Sequence, residues 1–314
     1  MIYVFQPKYL QSNTFFTAVD IPLHIGVIIF VLLSGYFTIK ATSKGFIKIF
    51  GFFVVYSLPV VYYIISNASD IGDIVRSCLF FSNSYFWYVK TYIYLFLFSP
   101  VVNLYLKEAT AKQRWYIIAI LAFIACYMPF VEGDASLEGG KNLINFIFIY
   151  VLGNQLFYYR DKLNQINIKV YALAYVLLNI ALVSMQYIFF DGKIGMLIQK
   201  SAFPYCSPFI MINAILLFMC VSKLNIRSKT INYIAASTFS VYLIHGIKPY
   251  PSIWIKSMCS YLSENISSNL ELLISYFIFA IVLYMACVLL DKMLSPLWRV
   301  IGKLGNKVYI KLGF

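Results

Sequence analysis

The chain has 314 residues, of which 61% are hydrophobic and only 12% charged, and its formal net charge is +13. Soluble domains hold roughly 45–50% apolar and about 25% charged residues, so a water-soluble core is excluded and a bilayer is the expected solvent. In a soluble protein such a basic balance would point to nucleic acid. Here Lys and Arg fall mostly in short connections between apolar runs, where membrane topology accounts for them and no nucleic-acid partner is expected.

A helix that crosses a bilayer needs about 20 mostly apolar residues. In chain order the qualifying stretches are 21–39, 46–66, 85–106, 115–131, 143–159, 170–190, 203–222, 231–247 and 270–290, which makes about nine spans. The eighth is short as drawn and is expected to extend or re-enter near Pro249 and Pro251. No connection is long enough for a soluble domain and no internal repeat is visible. The expected fold is therefore one all-α domain over 1–314: a polytopic transmembrane helical bundle over 20–290 and a tail over 291–314. In that tail Leu297, Trp298, Arg299, Val300, Ile301, Gly302, Lys303 and Leu304 alternate apolar and basic character at helical spacing. It reads as a cytoplasmic amphipathic helix anchored on anionic membrane lipids.

The basic residues are unevenly divided between the two ends of the spans. One side collects Lys40, Lys44 and Lys48, then Lys107, Lys112 and Arg114, Arg160, Lys162 and Lys169, Lys223, Arg227 and Lys229, and the tail. The other side has fewer, among them Arg76, Lys141 and Lys256, and most of the acids, including Asp70, Asp73, Glu132, Asp134, Glu138, Asp191 and Glu264. The positive-inside rule makes the first side cytoplasmic. With an odd number of spans the N-terminus then lies outside, although nothing in residues 1–20 is suited to translocate itself. One further span upstream of this chain is the simplest resolution.

Cys78, Cys126, Cys206, Cys220, Cys259 and Cys287 form no CxxC or metal-like spacing and read as small apolar residues. With only two His in the chain, a multi-histidine metal site is excluded, and no bound cofactor or metal is expected.

Three segments carry chemistry by their order and spacing. The first closes an early helix with Phe30-Val31-Leu32-Leu33-Ser34-Gly35-Tyr36-Phe37. The second is Phe86-Trp87-Tyr88-Val89-Lys90-Thr91-Tyr92, continuing to Phe98-Ser99-Pro100-Val101-Val102-Asn103. The third runs from Ile231-Asn232-Tyr233 through Ser237-Thr238-Phe239-Ser240-Val241-Tyr242-Leu243-Ile244 to His245. Together they resemble the membrane-bound acyltransferase-3 family, usually of roughly ten spans, over nearly the whole chain from residue 20. The resemblance implies an O-acyltransferase. Its acyl group, acetyl in the commonest case, would pass from acyl-CoA, a co-substrate at the cytoplasmic face, to a hydroxyl of a cell-surface glycan or lipid-linked sugar. Polysaccharide O-acetylation at the bacterial cytoplasmic (inner) membrane is the implied setting. The family's catalytic His, the expected general base, belongs to a first span that is not found here. The chain reads as naturally shortened or begun at a downstream start codon, which leaves its activity by itself open.

Each candidate has a bland reading beside it. Ser34-Gly35-Tyr36 lacks an acid–base partner, and its Gly is expected to allow close helix packing. His24 precedes that motif and reads as an interfacial or packing residue, whereas His245 reads as an acceptor-side hydrogen-bonding residue. Lys90, the one basic residue inside a span, is expected to line a polar cavity with Trp87 and Tyr92, since charge at membrane depth seeks a cavity or a partner. Lys44 and Lys48, four apart on one helical face, are candidates for the donor's phosphates, as point charges without the fork of Arg; ordinary positive-inside topology is the competing explanation. A glycan transporter or flippase is the alternative function. It would more often show matched repeats and broken helices.

Overall fold

The computed structural model describes residues 14–67, 70–72, 75, 87–186, 192–246 and 250–311. Cys78, Arg76, Asp73, Asp191, Phe86 and Pro249 lie outside the described residues. Among those described, every regular element is helical, and six helices are long and apolar enough to cross a membrane: 18–36, 43–67, 87–108, 111–131, 168–185 and 269–293. They coincide with six of the expected spans. Two more expected spans appear as shorter apolar helices, Leu143–Tyr158 and Pro208–Ser222.

The eighth expected span is not one helix. It is divided into Lys229–Ala235 and Thr238–Gly246, with the chain turning at Ala236 and Ser237. The Ser237 N–H bonds back to the Ile234 carbonyl at 3.1 Å, while its own carbonyl accepts from Val241 at 2.8 Å and starts the next helix. A further helix, Tyr250–Asn265, arises where no span was expected, because Lys256, Glu264 and the Ser residues interrupt its apolar run.

In chain order the helices are α1 (Thr14–Leu23), α2 (Gly26–Tyr36), α3 (Ser43–Asn67), α4 (Trp87–Glu108), α5 (Ala111–Ala122), α6 (Leu143–Tyr158), α7 (Arg160–Gln165), α8 (Ile168–Met185), α9 (Gly192–Lys200), α10 (Pro208–Ser222), α11 (Lys229–Ala235), α12 (Thr238–Gly246), α13 (Tyr250–Asn265), α14 (Asn269–Met293) and α15 (Ser295–Lys311). After α5 the chain continues as a π-helix, Phe123–Val131, which contains Pro129. Proline removes one backbone donor and crowds the preceding turn, a standard cause of such a local widening.

The chain divides into two compact units. One comprises 17–41 and 94–226. Its centre is the crossing of α2 and α6. A Cβ on Gly35 would meet the Tyr150 carbonyl oxygen at 2.0 Å, and one on Gly153 would meet that of Leu32 at 2.2 Å. Two backbones therefore touch directly at reciprocal glycines, the close approach that small residues permit between helices in lipid. The Gly of the Ser-Gly-Tyr motif thus serves packing. Tyr36 beside it is surrounded by the rings of Phe37, Phe157 and Phe218 at 5.1–5.4 Å. In the same unit, α8 and α10 are tied by a reciprocal amide pair: Asn179 donates to Asn213 at 2.9 Å, and Asn213 donates back at 3.1 Å. A polar group on an apolar helix must find such a partner, since lipid offers none.

The other unit comprises the described residues of 1–16, 42–93 and 227–314. Its core gathers Val241 of α12, Ile255 and Cys259 of α13, and Leu272, Tyr276 and Leu283 of α14. Thr238 Oγ1 and Tyr284 Oη, 2.9 Å apart, fasten the start of α12 to α14. The tail helix α15 spends part of its apolar face on protein. Trp298 meets Phe52 edge-on at 4.2 Å, and a Cβ on Gly51 would fall 2.9 Å from Ile301.

Candidate functional site

Three of the residues singled out by sequence come together in the unit that holds α12. The phenol of Tyr88, 5% exposed, is the hub. Its ring lies 6.1 Å from Trp87 and 5.9 Å from Tyr92, both on α4, and 5.0 Å from Tyr242 on α12. Tyr242 in turn meets His245 edge-on at 5.7 Å. Edge-to-face and offset pairs at these spacings are the favourable aromatic geometries. Trp87, Tyr92, Tyr242 and His245 are each half-buried, so the cluster retains accessible ring surface.

The protonation of His245 follows from its hydrogen bond. Nδ1 lies 2.7 Å from the Val241 carbonyl oxygen, one turn back on its own helix. A carbonyl only accepts, so Nδ1 carries the proton, and in the neutral ring Nε2 holds the lone pair. Nε2 has no hydrogen-bond partner among the described residues. The arrangement can accept a hydrogen bond from a hydroxyl laid against the neighbouring rings.

Lys90 does not join this cluster. It is half-buried, but two residues from Tyr88 and Tyr92 it falls on the far side of α4 at 3.6 residues per turn. No hydrogen bond, ion pair or ring contact reaches it among the described residues; helical phase parts Lys90 from Tyr92, while Trp87, three residues back, stays on its side of the helix. Lys44 and Lys48 are both exposed on α3, and the Lys48 ammonium stands 5.7 Å from the centre of the Phe52 ring.

A second polar node, which the sequence reading missed, sits in the other unit, just after Ser34-Gly35-Tyr36. Thr38 adopts φ +58°, a left-handed conformation costly for a β-branched residue and kept only where neighbours enforce it. The enforcement is visible. The Ile39 N–H donates to Tyr150 Oη at 3.0 Å, Tyr150 donates to Asn103 Oδ1 at 2.6 Å, and Asn103 donates to the Ile39 carbonyl at 2.9 Å. Beside this ring of bonds the Asn154 amide reaches Thr38 Oγ1 at 3.4 Å and accepts from Arg114 at 2.9 Å. Arg114 also donates to the Leu106 carbonyl and lies over the Tyr158 ring at 4.4 Å. A capping box places it: Thr110 and Gln113 exchange side-chain and backbone bonds at the start of α5, which turns Arg114 inward to 7% exposure. By sequence Arg114 was one more loop charge. The available signal was Asn103 and Asn154, amides inside apolar helices, which require partners.

His24 lies at the break between α1 and α2. It stacks on Tyr205 at 5.3 Å, meets Phe203 edge-on at 5.7 Å, and has Asp20 at 4.0 Å. These contacts give it the packing role expected from its position. The described cysteines are free and buried or half-buried.

The chain belongs to the acyltransferase-3 family: the family model, an acyltransferase domain, matches residues 1–291. That match runs through both compact units and includes all three motifs. No curated protein and no solved structure matches the chain. With its apolar helices, it is a multi-pass membrane acyltransferase.

Proposed function

We propose that this membrane acyltransferase moves an acyl group, acetyl in the simplest case, from acyl-CoA at the cytoplasmic face to a hydroxyl of a cell-surface glycan or its lipid-linked sugar precursor. The setting is the bacterial cytoplasmic membrane. In this reaction the thioester C–S bond breaks, an ester C–O bond forms, the hydroxyl proton passes to a base, and coenzyme A leaves as its thiol. The observation that carries the acceptor half is the His245 cluster. A sugar presents apolar C–H faces and hydroxyl edges, and half-buried Trp87, Tyr92 and Tyr242 offer ring surface beside an imidazole whose Nε2 accepts. His245 thereby orients the acceptor hydroxyl; it is a binding residue here and not the base.

Lys44 and Lys48 serve the donor half. They share one face of α3 at its basic end, where two ammonium groups four residues apart reach one phosphate cluster. Both are exposed, so water and salt weaken each contact below the about 1.5–3 kcal/mol of a desolvated charged hydrogen bond. The node at Thr38, Tyr150, Asn103 and Arg114 fixes the turn that closes the Ser-Gly-Tyr helix end.

The test supplies membranes containing the protein with isotope-labelled acetyl-CoA. Label in alkali-labile esters of the glycan fraction, found by mass spectrometry, is the expected result. Glycan carried across the membrane with no labelled ester would overturn the reading in favour of a flippase.

A further inference from the structure

We propose that α15 presents a binding surface for anionic phospholipid headgroups, separate from the acyl-transfer residues and independent of that reading. Asp291 is the last acidic residue in the sequence; after it come Lys292, Arg299, Lys303, Lys307 and Lys311. The last four of these are spaced four residues apart, so one helical face of α15 receives successive basic positions. Described side chains Arg299 and Lys303 are exposed.

The acid that precedes this face in the chain is already engaged. Asp291 is 7% exposed, and its Oδ1 accepts from Trp298 Nε1 at 3.1 Å and from Tyr56 Oη at 3.4 Å. Lys292 turns away to the ring of Tyr233 at 4.1 Å. Those bonds, with Phe52 against Trp298 and Gly51 against Ile301, also fix the direction of the helix. From Asp291 beside Tyr56 to Ile301 beside Gly51, α15 descends along α3 toward its basic end at Lys48 and Lys44. The inner face is thus taken by α3, and Arg299 and Lys303 are left outward.

Two features identify the partner as lipid. Only Leu294 separates α15 from the membrane-crossing helix α14, so the surface nearest to it is the bilayer's own. Val300, 52% exposed, flanks the face that carries Arg299 and Lys303, and an apolar flank next to cationic heads is the composition that fits a headgroup–acyl boundary. Positive residues concentrate on the leaflet side where anionic lipids draw them. The amphipathic anchor expected from the sequence is, in the structure, a helix braced on α3 with Arg299 and Lys303 exposed.

The full chain, purified in neutral detergent, is titrated with dioctanoyl phosphatidylglycerol, dioctanoyl phosphatidylcholine and, separately, inorganic pyrophosphate. Bound lipid is counted by native mass spectrometry and affinity is read by calorimetry. Each basic residue near an anionic lipid surface contributes about fivefold in affinity. Arg299→Gln with Lys303→Gln therefore weakens phosphatidylglycerol about 25-fold and leaves phosphatidylcholine unchanged. Lys107→Gln with Lys112→Gln, the same charge change on exposed residues elsewhere on the basic side, weakens it less than threefold. Equal losses for both pairs, or no loss for the first, overturn the proposal. So does pyrophosphate binding that disappears with Arg299 and Lys303, since the face would then recognise soluble phosphate. Thermal melting of each variant confirms that the exposed substitutions leave the fold intact.

Discussion

The α2–α6 crossing and the His245 cluster use opposite physical means. At the crossing, Gly35 and Gly153 bring backbone against backbone, so neither position admits even one carbon. At the cluster, contact is made by the rings of Trp87, Tyr88, Tyr92 and Tyr242; Tyr88 is buried, while Trp87, Tyr92, Tyr242 and His245 keep part of their surface accessible. Architecture has been placed where substitution is impossible, and recognition where side chains retain surface and choice. The two belong to different compact units.

The largest expected effect lies at the crossing. Gly35→Val puts carbon 2.0 Å from the Tyr150 carbonyl oxygen, and the helices must part. We expect no monodisperse protein by fluorescence-detected size exclusion. Gly26→Ala, where a Cβ meets nothing within 4 Å, should instead be neutral or stabilising by about 0.5–1 kcal/mol. If the two variants behave alike, the close approach is not what builds this unit.

Next comes the node that continues from that crossing. Arg114→Ala leaves Asn154 Oδ1 and the Leu106 carbonyl without their donor. Each lost bond to a charged group is worth about 1.5–3 kcal/mol, so a fall in melting temperature well beyond that of an exposed substitution is expected. Arg114→Lys should recover little of it, because an ammonium cannot span both acceptors as a planar fork does. Full recovery with Lys would reduce Arg114 to a simple charge.

Smaller again is the donor side. Lys44→Ala with Lys48→Ala should raise the donor KM about tenfold, an effect that shrinks with added salt because both residues are exposed. The Lys107 and Lys112 double variant serves as the charge-matched comparison. Equal effects of the two pairs would make Lys44 and Lys48 topology signals only. On the recognition side, Tyr242→Phe keeps the ring stack and removes one hydroxyl, so stability should change by less than about 1 kcal/mol, whereas Tyr242→Ala should separate His245 from Tyr88 and lower acceptor affinity.

How much of this was legible in the sequence depends on which interactions are local. Apolar length is a one-dimensional property, and it located the long helices and the packing use of Gly35. The break at Ala236 and Ser237 was not legible, since neither Gly nor Pro marks it; the turn is imposed by the bond from Ser237 to Ile234 and by the docking of Thr238 on Tyr284. Nor was α13, whose Lys256 and Glu264 spoil a hydropathy window without spoiling a helix. At the candidate site the motif residues Trp87, Tyr92 and His245 were named, yet Tyr88 and Tyr242, which join them across more than a hundred residues of chain, emerge only from tertiary packing. Lys90 was placed with them by adjacency in sequence, and helical phase parts it from Tyr92 while leaving it on the side of Trp87. Arg114 was invisible because its burial depends on the capping box and on Asn154 in another helix.

The claim that most needs testing is that His245 belongs to the acceptor half of the reaction. Initial rates of acetyl transfer in membranes, measured with each substrate varied in turn, separate the halves. His245→Ala should raise the acceptor KM about five- to tenfold, the scale of one lost hydrogen bond, with the KM for acetyl-CoA unchanged. His245→Asn, which can still donate or accept toward a hydroxyl, should recover part of that loss. A rise in the acetyl-CoA KM with the acceptor KM unmoved would contradict the account and place His245 with the donor.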